Sequence, residues 1–103
     1  MPVSSDELNA RKRRILFRAT HRGMKEMDLL LGALARDVLA GLDAAGVAAF
    51  ERLLEVPDAD LLAWASGDDA ALEAALLEDE ESRALLERLR GYGFVPGSYG
   101  ENL

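Results

Sequence analysis

Met27, Leu30, Leu31, Leu34, Val38 and Leu42 recur at three- and four-residue intervals. That spacing puts all six on one face of an α-helix, whereas a strand would scatter them over both faces of a sheet. A stripe this apolar must be covered by other elements with apolar faces of their own. Leu8, Ile15 and Ala19 supply one such stripe, and Val47, Phe50, Leu53 and Leu54 another. Leu61, Leu62 and Trp64 form a third, and Leu72, Leu76, Leu77, Leu85, Leu86 and Leu89 a fourth. No segment alternates with period two, and β-branched residues are few. The expected fold is all-α, a small antiparallel bundle of about five helices in a single domain.

Local punctuation sets the expected boundaries. Ser4 followed by Glu7 has the form of a capping box and starts a helix over 6–20. Leu16 lies beside the stripe of this helix, and Arg11, Lys12, Arg14 and Arg18 spread over the rest. His21-Arg22-Gly23 breaks the pattern, and the longest helix follows over 24–42. Residues 43–46 read as a turn, with Gly41 and Gly46 as left-handed positions. A third helix is expected over 47–55; Pro57 interrupts it, and Asp58 is placed to cap a fourth over 59–65. Ser66-Gly67 ends the fourth, and a fifth is expected over 69–90, liable to split at the four successive acids of 78–81. Residues 1–8 read as an N-terminal arm, 9–90 as the bundle, and 91–103, bearing Tyr92, Phe94, Pro96 and Tyr99 among glycines, as an irregular tail.

The residue inventory narrows the chemistry. The chain has no cysteine and one histidine, His21, among its 103 residues. Thiolate catalysis, cysteine-held metals and a two-histidine relay are thereby excluded. No apolar run approaches the roughly 20 residues needed to cross a bilayer. Residues 1–10 lack an apolar signal core and carry Asp6 and Glu7, so a cytoplasmic protein is expected. The net charge of −7 is distributed unevenly. Residues 1–27 hold seven cations against three anions, a balance of +4, which leaves five cations against sixteen anions, −11, for 28–103. A bipolar surface of this kind can orient a protein partner during encounter.

The segment Arg22-Gly23-Met24-Lys25-Glu26 carries the most information. Arg22 and Glu26 are four residues apart and can share a face once a helix has begun. Gly23 sits between two helices, where a residue without Cβ can take positive φ and admit another backbone. The expected result is a flat patch offering a guanidinium fork, a carboxylate and free backbone amides to another protein. The plain alternative is an ordinary helix–helix turn with a local ion pair. His21 adjoins the patch as a polar residue at a helix end, without a partner for catalysis. The basic run Arg11-Lys12-Arg13-Arg14 allows an alternative reading, a module that binds nucleic acid or another anionic surface. The helix after the Gly23 turn is rich in Leu and Met with Asp28 near its start, which suits a buried element better than a reader of base edges. Trp64 reads as a core anchor whose indole N–H needs one partner. The acids at 78–81 lack the spacing of a calcium loop, and no glycine-rich phosphate loop is present.

Several fragments in order resemble a known family. Arg13-Arg14-Ile15-Leu16-Phe17-Arg18 leads through His21-Arg22-Gly23-Met24-Lys25-Glu26-Met27-Asp28 into Leu29-Leu30-Leu31. Phe50-Glu51-Arg52-Leu53-Leu54-Glu55 and Asp58-Ala59-Asp60-Leu61-Leu62-Ala63-Trp64 follow. Over residues 9–67 this order resembles the SdhE-type succinate dehydrogenase assembly factors and their RGxxE motif. The resemblance implies a non-enzymatic helical protein that binds the flavoprotein subunit of succinate dehydrogenase, and in some bacteria that of fumarate reductase. It implies promotion of an autocatalytic attachment of FAD, through its 8α carbon, to a histidine of that client. The factor itself would hold no cofactor stably, would bind no nucleic acid and would not span a membrane. The motif carries over to Arg22, Gly23 and Glu26, with Met24 and Asp28 flanking. The contact surface expected around it also takes in the adjoining His21, with Arg11, Arg14 and Arg18 assisting electrostatically. Phe17 stands where members often carry Tyr. Residues from 68 onward match poorly and are expected to be a lineage-specific addition.

Overall fold

The computed structural model describes residues 4–92. Among them are six α-helices and no strand: α1 (Ser5–Thr20), α2 (Lys25–Val38), α3 (Ala44–Leu53), α4 (Asp58–Ala65), α5 (Ala74–Glu78) and α6 (Glu80–Arg90), with a 3-10 turn at Leu39–Gly41. Ser4 starts α1 as expected, its hydroxyl accepting the Glu7 N–H at 3.1 Å. Helix α1 packs on α2 and α3, and α6 lies against α2, α3 and α4, so the last long helix closes the bundle.

The stripes meet in one core. Ile15 and Ala19 of α1, Met27, Leu30, Leu31 and Leu34 of α2, Phe50 and Leu53 of α3, Leu61 of α4 and Leu86 and Leu89 of α6 are all essentially inaccessible to solvent. Trp64 docks α4 onto α6. Its indole N–H donates to the Leu86 carbonyl at 2.8 Å, and the Arg90 guanidinium lies 3.5 Å from the centre of its ring. Arg90 Nε also donates to the Trp64 carbonyl at 2.9 Å.

Three boundaries among the first four helices differ from expectation for a local reason. Helix α2 stops at Val38 and tightens into the 3-10 turn that ends at Gly41, a poor residue for continuing a helix. Helix α3 begins three residues early, because Asp43 is a true N-cap whose carboxylate accepts the Gly46 N–H at 2.9 Å. Gly46 is therefore helical, not a left-handed turn residue. A Cβ there would come within 2.7 Å of Leu42 Cδ2, so close approach is what this glycine serves. Positive φ is confined, among the described residues, to Gly23 and Gly67. Helix α4 begins at Asp58 with Pro57 as its cap residue, and the Asp58 carboxylate is engaged elsewhere.

The helix expected over 69–90 begins only at Ala74 and is split within 78–81, where the run of acids made it liable to break. Residues 66–73 are turns and bends, and Asp79 breaks the remainder by adopting φ −76° and ψ 117°. Its carboxylate caps α6 through the Ser82 N–H at 2.9 Å and accepts from Arg52 at 2.9 Å. One acid of the run is thus a capping residue, which explains the split better than self-repulsion does. The hydrogen bonds from Ser82 hold the Asp79 carboxyl below its usual range. Most of the expected tail, and residues 1–3 of the expected arm, lie outside the described residues.

Candidate functional site

Helix α1 ends at His21, whose N–H reaches back to the Arg18 carbonyl. Gly23 turns the chain with φ +89°, Met24 is extended at φ −126° and ψ 118°, and α2 starts at Lys25. The turn is fixed from both sides. Its Arg22 N–H donates to Asp28 Oδ1 at 2.6 Å, tying the linker to the first turns of α2. The Arg22 guanidinium points the other way and grips the α3–α4 loop. Its Nε donates to Asp58 Oδ1 at 2.7 Å, Nη1 to the Leu54 carbonyl at 2.5 Å, and Nη2 to the Val56 carbonyl at 2.8 Å. Planar donors in a fixed fork suit three acceptors around one loop, a task a lysine could not match.

This geometry alters the expected patch. Arg22 and Glu26 do not form an ion pair among the described residues; Arg22 precedes the helix and its fork faces the protein interior, with only 12% of the side chain exposed. What the corner presents outward is Gly23, exposed, with no atom within 4 Å of the position a Cβ would take. Glycine is required there by the backbone angle, and the space beyond it is open. Glu26 lies half-buried on the first turn of α2. Met24 is half-buried against the core, and Asp28 is half-buried and engaged by the Arg22 N–H.

The arginines of α1 divide similarly. Arg11 makes a two-pronged contact with Glu51, Nε to Oε2 at 3.1 Å and Nη2 to Oε1 at 2.5 Å, and so fastens α1 to α3. That hydrogen bond holds the Glu51 carboxyl below its ordinary range and raises Arg11. Lys12 donates to the Ala40 carbonyl at 3.2 Å. Arg18 lies 3.4 Å from Glu55 with both groups exposed, while Arg13 and Arg14 face solvent. Arg11, Lys12 and Arg22 are engaged within the chain, which leaves Arg13, Arg14 and Arg18 as the exposed cations of this side.

The exposure of one residue was not anticipated from the sequence. Phe17 is 62% exposed on the arginine-bearing side of α1. Its ring stacks on His21 with centroids 4.0 Å apart, and the His21 Nδ1–H donates to the Phe17 carbonyl at 2.7 Å. The pair borders an open depression of about 390 Å³ that continues over Arg18, Glu55 and Pro57. A large aromatic off the Ile15–Ala19 stripe was the available signal. An exposed aromatic beside charged groups and an open glycine has the make-up of a protein-docking surface. Among the described residues no three acidic or histidine side chains come together as a metal site, and no helix is long and apolar enough to cross a membrane.

The family model described as the flavinator of succinate dehydrogenase matches residues 13–92, which include this entire corner. The chain belongs to that family. Over 87 residues it is 34% identical to the FAD assembly factor SdhE of Acetobacter pasteurianus, covering 84% of this chain and 74% of that one. It is 43% identical over 49 residues to the FAD assembly factor SdhE of Pseudomonas aeruginosa, covering 48% and 58% respectively. With the mitochondrial succinate dehydrogenase assembly factor 2 of Yarrowia lipolytica it shares 30% identity over 69 residues, 67% of this chain and 48% of that one. The matched region therefore spans between about half and three quarters of these relatives' own lengths. No solved structure matches the chain. The family resemblance carried by residues 9–67 is thus confirmed, with one correction. The flavinator match extends to residue 92, so α5 and α6 belong to the family's domain and are not a lineage-specific addition. As a member of an assembly-factor family, the protein is not an enzyme.

Proposed function

We propose that this protein binds the flavoprotein subunit of succinate dehydrogenase, or of fumarate reductase, and promotes covalent attachment of FAD to it. The corner around Gly23, with Met24, Glu26, His21, Arg14 and Arg18 about it, is the contact surface in this reading. Arg22, Asp28 and Arg11 contribute by holding that surface in shape. The observation that carries it is the open Gly23: a left-handed residue held rigidly by its neighbours with nothing of its own chain in front of it. A rigid, open backbone can admit another polypeptide closely without an ordering cost. The factor needs only a higher affinity for the client conformation in which flavin and histidine are aligned, since alignment alone lowers the barrier to attachment.

The test is Gly23→Arg. The left-handed backbone makes any side chain there cost about 1–2 kcal/mol, but the space is open, so the helical spectrum should persist. Binding to the purified flavoprotein subunit and the yield of protein-bound flavin should both be lost. A folded Gly23→Arg protein that still bound and still supported flavin attachment would defeat the proposal.

A further inference from the structure

The α3–α4 loop that Arg22 holds has a second surface. Glu55, Val56 and Pro57 border the depression beside Phe17 and also one wall of a groove of about 250 Å³. The apolar lining of the groove is Val56, Pro57, Ala71, Leu72 and Leu76. Its far wall includes part of α5, a helix with no fully buried residue, on which Leu76 and Leu77 are only half covered. Glu55, Asp60, Glu73 and Arg52 supply the charges around it. Arg52 is drawn to Asp79 at 2.9 Å and Glu55 lies near Arg18 at 3.4 Å. Asp60 and Glu73, both exposed, have no basic partner among the described residues.

We propose that this groove receives a basic segment of the client flavoprotein, one apolar side chain entering between Pro57 and Leu76 while flanking Lys or Arg residues meet Asp60 and Glu73. This rests on the assembly-factor reading and extends its contact surface around the α3–α4 loop. Two observations favour that occupant. The groove shares the wall 55–57 with the surface at the Gly23 corner, so a client seated on one reaches the other. The two surfaces also differ in charge: Arg18 borders the corner depression and Lys25 is exposed beside Gly23, whereas Asp60 and Glu73 line the groove without a basic partner among the described residues. Paired patches of opposite sign fix the orientation of a bound partner and raise the rate of encounter.

The experiment compares wild type, Asp60→Lys/Glu73→Lys, Ala71→Trp and Gly23→Arg for affinity to the purified flavoprotein subunit at low and high salt, with circular dichroism as the fold control. Asp60 and Glu73 are exposed and unpaired, so their reversal should leave the fold intact. The double reversal should weaken binding by at least about tenfold at low salt and flatten its salt dependence. Ala71→Trp, which narrows the groove, should weaken binding at both salt concentrations. Wild-type affinity in both groove variants, with binding still lost in Gly23→Arg, overturns the groove assignment and leaves the proposed function standing. No binding by wild type overturns both. Self-association of wild type in sedimentation that vanishes in the double reversal assigns the groove to a second copy of this chain and also overturns the client assignment.

Discussion

Replacing Arg22 with lysine keeps the charge and removes the fork. The native guanidinium donates to three acceptors on a loop 32 to 36 residues away in sequence. A lysine ammonium can keep a contact with one of them. Two hydrogen bonds from a charged donor are then lost, each worth about 1.5–3 kcal/mol net. The Arg22 and Asp58 side chains are 12% and 20% exposed, so water can replace only part of what is lost. We expect a destabilisation of about 2–4 kcal/mol. For a domain of this size that lowers Tm by roughly 10–25 °C. Urea unfolding followed at the helical circular-dichroism band measures it, with an unchanged slope confirming that stability alone has moved. Asp58→Asn and the double variant complete a cycle, whose coupling term should be at least about 1 kcal/mol. An Arg22→Lys protein within about 0.5 kcal/mol of wild type, the range of an ordinary surface change, would refute the assignment of Arg22 as the clamp of the α3–α4 loop.

Other consequences can be read at separate sites. Trp64→Phe removes the indole donor to the Leu86 carbonyl and should cost about 1–3 kcal/mol in the same unfolding assay. Gly67, at φ +110° with open space about it, should lose about 1–2 kcal/mol on conversion to alanine, from backbone angle alone. Because Arg11 holds the Glu51 carboxyl low, the unfolded chain takes up a proton there first as pH falls. The stabilisation is complete above the unfolded value and is lost as pH drops through the folded one, so as pH falls below the ordinary carboxylate value of 4.5 wild type should lose more stability than Glu51→Gln. Parallel acid melts of the two proteins would show equal losses if the Arg11–Glu51 contact were unimportant.

The helical class, the buried stripes, the Ser4 cap, the Trp64 anchor and the left-handed Gly23 were legible in the sequence. Each depends on residues within a turn or two of one another, or on a periodicity that only one backbone geometry satisfies. The capping roles missed at Asp43 and Asp79 were also local. Both are aspartates with a partner N–H three residues ahead, but one was read within a glycine-containing turn and the other as part of a repulsive run. The order of fragments through residue 64 was enough to indicate the family, and the wider match then brought α5 and α6 into it.

The roles of the charged residues were settled elsewhere. Spacing paired Arg22 with Glu26, four residues on, whereas folding brings Asp58 closer, and Arg11 likewise reaches Glu51 across 40 residues. A flexible cation is drawn to whichever acceptors the packed backbone presents at the right angle and out of water, and a linear pattern carries no record of those distances. The sequence by itself determined that this chain is a helical bundle with an open glycine corner. Only the tertiary structure decided which arginines brace that corner from within and which remain exposed to solvent.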